Sequence, residues 1–231
     1  FGDNVDTVTI DPSVQIPVTI DGGSGNDLIV VQGTATGSVV NGGIEDDRIT
    51  VSGAGSATVY GDGGNDTLTH AGTGTVTFYG GDGNDTLVGS AASDQLFGEI
   101  GNDTLSGLAR LYDGGADDDL ITVTDAVFTS TESTPVVGGG GSDTLTLVLG
   151  GASDDLTITN PSTGVLNHTL GGLTRSSSGI EHLVLNTGGG SDQVTLDDIT
   201  SAGANGVETV EIAVGSGSVD IVRILGSSSA G

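Results

Sequence analysis

Residues 80–106 read GGDGNDTLV, GSAASDQLF and GEIGNDTLS, three nine-residue units in unbroken register. In each, six residues rich in Gly, Asp, Asn and Ser precede three that favour strands, so each unit reads as a tight turn followed by a short strand. A unit of this size cannot bury an apolar face alone. It must stack on copies of itself to enclose a core.

Outward from this stretch, further copies begin at Gly22 (GGSGNDLIV), Gly42 (GGIEDDRIT), Gly61 (GDGGNDTLT), Gly114 (GGADDDLIT) and Gly138 (GGGGSDTLT). With Gly80 and Gly98 their starts lie 20, 19, 19, 18, 16 and 24 residues apart, the length of one lap of a coil with two strands per lap. Second turns such as GTATG, SGAG and AGTGT fall midway. Aligned by the loops, the eighth positions are Ile29, Ile49, Leu68, Leu87, Leu105, Ile121 and Leu145, which predicts an inward-facing column. A second column two residues before each loop, Val40, Val59, Phe78, Leu96, Tyr112 and Val136, faces it across the interior. The predicted fold is all-β, a parallel β-roll or β-helix solenoid with 16–24 residues per coil and an irregular β C-terminal part.

Composition agrees. Of 231 residues, 43 are Gly and only seven are Phe or Tyr, with no Trp or Met. Too few large side chains exist to fill the gap of about 10 Å between the sheets of a sandwich. The formal charge is −27, from 25 Asp and six Glu against Arg48, Arg110, Arg175 and Arg223, with no Lys. Nothing on such a chain neutralises phosphates, which excludes nucleic acid as a partner, and an anionic membrane would repel it. No apolar run approaches the roughly 20 residues of a membrane span, so membrane insertion is not expected. Without Cys there is neither a disulfide frame nor a thiolate metal site. A start at Phe1 without signal-peptide anatomy reads as a piece of a longer protein.

Three regions are expected. Residues 1–21 form an N-terminal cap or first coil, with FGDNVDTVT a worn copy that keeps Asp6 at the sixth position and Pro12 and Pro17 at the start of the stack. Residues 22–149 form the roll, with DAVFTSTESTP after Thr124 bulging out as a loop. Residues 150–231 continue as coils or a β-rich cap. There GGASDDLTI at 150–158 has a shifted apolar position, NHTLGGLTRSSSGIEHLVLN holds two alternating strands, and TGGGSDQVT at 187–195 restores the match.

The acids are mostly Asp, and many of them lie in the glycine-rich loops, as a cation held in tight turns would require. Calcium takes six to eight oxygen ligands, more than one short loop supplies. Two stacked loops supply them from carboxylates and from carbonyls that glycine, free to take positive φ, turns toward the ion. The candidate ligands are Asp27, Asp47, Asp66, Asp85, Asp103, Asp119 and Asp143, with Gly22, Gly42, Gly61, Gly80, Gly98 and Gly114 opening the loops. Up to six calcium ions would lie between neighbouring laps. Asp94, on the other edge, is a further candidate. Glu45 and Asp117 replace the fourth glycine, adding a carboxylate and, on expectation, losing the left-handed turn. The short and long laps are expected to misalign Asp103 with Asp119 and Asp119 with Asp143. For Asp6, Asp155 and Asp192, turn closure and metal binding both remain open.

GGSGNDLIV and GGDGNDTLV match G-G-x-G-x-D-x-U-x throughout and resemble the RTX, or haemolysin-type, calcium-binding repeats; five other copies keep the sixth-position Asp with departures. The resemblance covers residues 22–146. It implies a right-handed parallel β-roll, calcium held by sixth-position Asp and loop carbonyls, and a secreted or cell-surface bacterial protein that orders on meeting external calcium.

Three functions follow as expectations. The main one is a non-enzymatic calcium-stiffened spacer, adhesin or matrix element whose partners are calcium and cell-surface or extracellular-matrix components or copies of itself. The second is an accessory or catalytic module of a polysaccharide lyase or epimerase, which needs clustered basic residues where this chain has four scattered Arg. The third is a self-assembling surface-layer module. His70, His168 and His182 read as solvated or strand-face residues, and Tyr60, Tyr79 and Phe97 as an outward aromatic stack along the coil.

Overall fold

The structure, a computed structural model, describes residues 2, 4–124, 126, 135–162, 164–197, 199, 207–213, 215 and 220–225. The first laps contain β1 (Thr7–Ile10), β2 (Thr19–Ser24), β3 (Leu28–Val31), β4 (Ser38–Ile44), β5 (Arg48–Val51), β6 (Ser56–Gly63), β7 (Thr67–His70) and β8 (Thr75–Asp82). The middle laps contain β9 (Thr86–Ser90), β10 (Gln95–Ile100), β11 (Thr104–Leu108), β12 (Leu111–Ala116), β13 (Leu120–Thr124), β14 (Val136–Gly140) and β15 (Thr144–Val148). The remainder contains β16 (Asp155–Ser162), β17 (Val165–Leu170), β18 (Leu173–Ser178), β19 (His182–Asn186), β20 (Gln193–Asp197), β21 (Thr209–Ala213) and β22 (Ile221–Leu225).

The chain alternates between two sheets. One runs β1-β3-β5-β7-β9-β11-β13-β15-β19-β21, the other β2-β4-β6-β8-β10-β12-β14-β18-β17-β16-β20-β22. Through β15 every pairing is parallel, as a coil that returns to the same sheet once per lap demands. The architecture is the anticipated parallel β-solenoid.

Side-chain alternation along each strand sets the core. Ile29, Ile49, Leu68, Leu87, Leu105, Ile121 and Leu145 pair in register and are all 0% exposed. Val40, Val59, Phe78, Leu96, Tyr112 and Val136 face them and are also buried, so one apolar cluster runs the length of the roll. Each fully buried aliphatic or aromatic side chain of this kind contributes about 1.5–3 kcal/mol, which offsets the entropy of ordering a glycine-rich chain. On the outer face Tyr60, Tyr79 and Phe97 stack with ring centroids 5.0 Å apart and planes 9° apart, as expected from their recurrence one residue before successive loops.

The two edges of the roll behave differently. From β2 to β15, three residues always separate a strand of the second sheet from the next strand of the first: 25–27, 45–47, 64–66, 83–85, 101–103, 117–119 and 141–143. On the opposite edge the connection ranges from two residues, 109–110, to eleven, 125–135. All variation in lap length is taken up there. Most of the expected bulge DAVFTSTESTP lies outside the described residues.

The C-terminal region continues the coil but departs from purely parallel pairing. After β15 the chain crosses to the second sheet and runs β16, β17 and β18 as an antiparallel meander before returning to β19 beside β15. A two-residue turn at Gly171 and Gly172, with φ of 58° and 82°, closes β17 onto β18, as hairpin twist requires. β20 then resumes parallel pairing on β16.

Candidate metal-binding loops

The nonapeptide does not divide as six loop residues and three strand residues. Its first three residues extend the preceding strand, as Gly80 to Asp82 extend β8, and the corner itself is positions four to six. Positions two and four both take positive φ: Gly81 116° and Gly83 140°, Gly139 120° and Gly141 149°. Where glycine is missing the turn persists. Glu45 (75°) and Asp117 (75°) hold the fourth position, and Asp62 (73°) and Glu99 (83°) the second, in the left-handed region. The expected loss of that turn at Glu45 and Asp117 therefore does not occur; stacking between laps holds it against a local cost of about 1–2 kcal/mol per residue. Glu99→Gly is expected to raise stability by about 1 kcal/mol, because it also removes a carboxyl that burial first, and then repulsion with Asp62 and Asp82, pushes upward. A urea midpoint unchanged or lowered would contradict this.

At the sixth position the seven predicted aspartates form one column. Asp27 N–H donates to Asp47 Oδ1, Asp47 N–H to Asp66 Oδ1, and Asp66 N–H to Asp85 Oδ1, each at 2.7 Å. The series continues Asp85 to Asp103 (2.7 Å), Asp103 to Asp119 (2.8 Å) and Asp119 to Asp143 (2.9 Å). The expected misalignment at the short and long laps is thus absent, because the other edge absorbs the difference. Asp6 joins the column through its N–H on Asp27 Oδ1 at 2.7 Å. Asp143 N–H donates to Glu181 Oε2 at 2.9 Å, so Glu181 continues the column beyond the last copy recognised in sequence. Its signal was the spacing to Leu183, the same two residues that separate Asp27 from Ile29.

Fifth-position residues form a second ladder running the other way. Asn65 N–H donates to Asp46 Oδ1 (2.8 Å), Asn84 N–H to Asn65 Oδ1 (2.9 Å), Asn102 N–H to Asn84 Oδ1 (2.8 Å) and Ser142 N–H to Asp118 Oδ1 (2.8 Å). Adjacent amides thus point to opposite neighbours, and each finds a side-chain oxygen. This ladder was not anticipated.

One oxygen of each of the seven aspartates is committed to a backbone amide; the other is not. Oδ2 of Asp27, Asp47, Asp66, Asp85, Asp103, Asp119 and Asp143 is buried without a hydrogen-bond partner. A buried unsatisfied carboxylate oxygen is costly. Burial pushes the carboxyls of Asp66, Asp103 and Asp119 up to about 7 and those of Asp47 and Asp85 up to about 6, against the lowering effect of the backbone hydrogen bond, with neighbouring carboxylates adding to the rise. Oδ2 also lies beside the first glycine of its own loop, and a Cβ on Gly42, Gly61 or Gly80 would meet both that oxygen and the glycine carbonyl of the next lap. Carboxylate and carbonyl oxygens therefore converge at each corner. Among the described residues no three acidic or imidazole side chains come together, so a cation here draws chiefly on carbonyls. An all-oxygen donor set with one unpaired anionic oxygen per lap fits calcium rather than a nitrogen- or sulfur-seeking metal.

Comparison with known families gives the same reading. The RTX calcium-binding nonapeptide repeat matches in four copies over residues 18–31, 51–74 and 77–109. Residues 18–109 carry RTX calcium-binding repeats. No curated protein and no solved structure matched the chain. The loops of Asp27, Asp66, Asp85 and Asp103 fall within the matched RTX stretches. Those of Asp47, Asp119 and Asp143 lie outside them, yet make the same hydrogen bonds.

Asp94, the candidate on the opposite edge, is placed differently from the RTX column. Its Oδ2 accepts from Ser90 and Ala91 N–H (2.9 Å each) and pairs with His70 Nδ1 at 2.7 Å, while Oδ1 accepts from Val76 N–H at 2.9 Å. Protein donors thus fill the carboxylate, leaving it to close a corner. His70, expected as a solvated or strand-face residue, lies at the end of β7 and is 2% exposed, because this partner is buried with it. His168 is likewise buried, against Ser177 Oγ, and its imidazole is pushed down to about 4 by burial. Of the remaining open positions, Asp155 is exposed at the start of β16, whereas its neighbour Asp154 lines up with Asp192.

Proposed function

We propose that this chain is a non-enzymatic RTX module of an extracellular or cell-surface bacterial protein, in which calcium ions between successive laps turn a loose, strongly acidic chain into a stiff rod. The observation that carries this reading is the column of buried Oδ2 atoms lacking a hydrogen-bond partner, one per lap from Asp27 to Asp143. The column aspartates would hold each ion with carbonyls of the loop glycines. When bound, calcium supplies positive charge that neutralises carboxylates otherwise raised by burial and by one another. The chain's own part is to keep those oxygens converged, which the constant three-residue corner and the left-handed turns do. Because the site is shared between laps, binding and folding form one equilibrium.

A rod of this kind serves as a spacer, adhesin stalk or matrix element. The lyase or epimerase reading draws no support from the arginines, since Arg48, Arg110, Arg175 and Arg223 sit in β5, in the turn before β12, in β18 and in β22. Circular dichroism tests the proposal. Millimolar calcium should raise the β signal of the parent chain strongly, and an Asp66→Ala, Asp85→Ala variant should need several-fold more calcium. Equal spectra with calcium and with chelator would overturn it.

A further inference from the structure

On the outer face of the second sheet the aromatic stack ends beside an acidic hollow. Tyr60, Tyr79 and Phe97 occupy successive places in one outward row across β6, β8 and β10, and the next place, on β12, belongs to Asp113. One face of Phe97 therefore lies against Tyr79, with centroids 5.0 Å apart, while among the described residues no ring covers the other. Next to Phe97 is an open cavity of about 450 Å³, lined by Asp82, Phe97, Glu99, Ile100, Asp113 and Gly115.

The hollow combines an aromatic wall with three carboxylates that lack a counter-ion. No described Arg or His pairs with Asp82, Glu99 or Asp113. Burial, and then repulsion from Asp62 and Asp82, pushes the Glu99 carboxyl up, and burial raises that of Asp113. A cation in the hollow would offset both penalties. Ile100, 55% exposed, adds an apolar wall. Glu99 stands at φ 83°, paired in register between Gly81 and Gly115, so the chain holds this carboxylate at a backbone cost that glycine avoids.

These walls select the kind of cation. A ring face attracts positive charge within about 6 Å of its centre, and at a strand spacing of about 4.8 Å the same charge lies within reach of the neighbouring Asp113. Calcium takes oxygen ligands and gains nothing from Phe97 or Ile100. An ammonium or guanidinium on an alkyl stem uses the ring, the apolar wall and the carboxylates together. A second copy of this chain is a poor source of one, since it has no Lys and a formal charge of −27.

We propose that Phe97, Glu99, Asp113 and Asp82 form a docking site for a lysine- or arginine-bearing segment of a basic partner polypeptide. The site lies on a sheet face, apart from the corners that would hold calcium, and so stays open when calcium is bound.

Calorimetric titration of octalysine into the full chain, in millimolar calcium and physiological salt, tests this. Phe97→Leu keeps the charge and removes the ring, and should weaken binding about fivefold. Glu99→Gly, which stabilises the roll, should weaken it about threefold, so that loss of binding is separated from loss of fold. Glu211→Gln, which removes an exposed acid on the other sheet, should bind as the parent does. Circular dichroism of each variant in calcium establishes that the roll has folded. A Phe97→Leu affinity equal to the parent's, or a loss at Glu211 as large as at Glu99, would mean attraction by net charge alone and would overturn the proposal. So would a parent that binds octalysine in chelator but not in calcium, which would assign these acids to the metal.

Discussion

In chelator, lowering the pH from about 7.5 to about 5 should make the protein more stable. The carboxyls of Asp66, Asp103 and Asp119 are raised to about 7 and those of Asp47 and Asp85 to about 6, against 3.8 for an unperturbed Asp. Between those values the folded state binds more protons than the unfolded one, so stability falls as pH rises. The penalty is present in full above about 7 and is relieved as pH falls toward 4. Allowing for water at the corners, it is on the order of 1 kcal/mol for each of the five groups. His168 works in the opposite sense: held down at about 4 by burial, it favours unfolding as pH falls below 6.5. One imidazole does not outweigh five carboxyls, so the net trend is a gain. Saturating calcium should reverse the trend, because protons then compete with the metal for the same oxygens. The β signal in circular dichroism at the two pH values in chelator, and urea midpoints at the two pH values in calcium, check both signs. A chelated protein less stable at pH 5 than at 7.5 would mean that the column carboxylates are not confined as described.

How much of this was legible in the sequence depends on the range over which each feature is encoded. The inward columns were legible because alternation along a strand is local, and because the loop gives each lap an unambiguous origin; Leu68, Leu87 and Leu105 could be aligned without knowing the fold. The Tyr60, Tyr79 and Phe97 stack was legible for the same reason. The fifth-position ladder was not, since its bonds join residues 16 to 24 apart and accept Asn, Asp or Ser alike, leaving no single residue type to notice. The pairing of His70 with Asp94 spans 24 residues and crosses from one strand to a later turn. Nothing near either residue announces it. Constancy of the corner was hidden in plain counts: spacings of 16 to 24 suggest irregular stacking until the strands show that every added or missing residue lies on the other edge. At residues 150–158 the obstacle was the assumption that the first position is glycine: Asp154, not Asp155, lines up with Asp192, which puts the start of that loop at Leu149.

The second large effect concerns Gly80. Its φ lies outside the left-handed region, so alanine is acceptable to the backbone there, and the objection is purely spatial. A Cβ at Gly80 would occupy the point where Asp85 Oδ2 of its own lap and Gly98 O of the next converge. Neither atom yields cheaply. Moving the carboxylate breaks the hydrogen bond from Asp66 N–H, which costs about 0.5–1.5 kcal/mol, and moving the carbonyl separates two laps whose β8 and β10 are paired in register. Overpacking of this kind costs about 1–3 kcal/mol by itself, so Gly80→Ala should destabilise the calcium-loaded protein by about 3 kcal/mol and weaken its hold on the ions beside Asp85. Gly63, the third position of the preceding nonapeptide, supplies the control: nothing lies within 4 Å of its would-be Cβ and its φ is also not left-handed. Gly63→Ala should be neutral or stabilising by up to about 1 kcal/mol, through the unfolded chain. Thermal unfolding of the two variants in calcium compares one methyl group at two positions of the same repeat. Equal stability would mean that carboxylate and carbonyl do not meet at the first glycine, and the convergence of oxygens on which calcium binding depends would have to be abandoned.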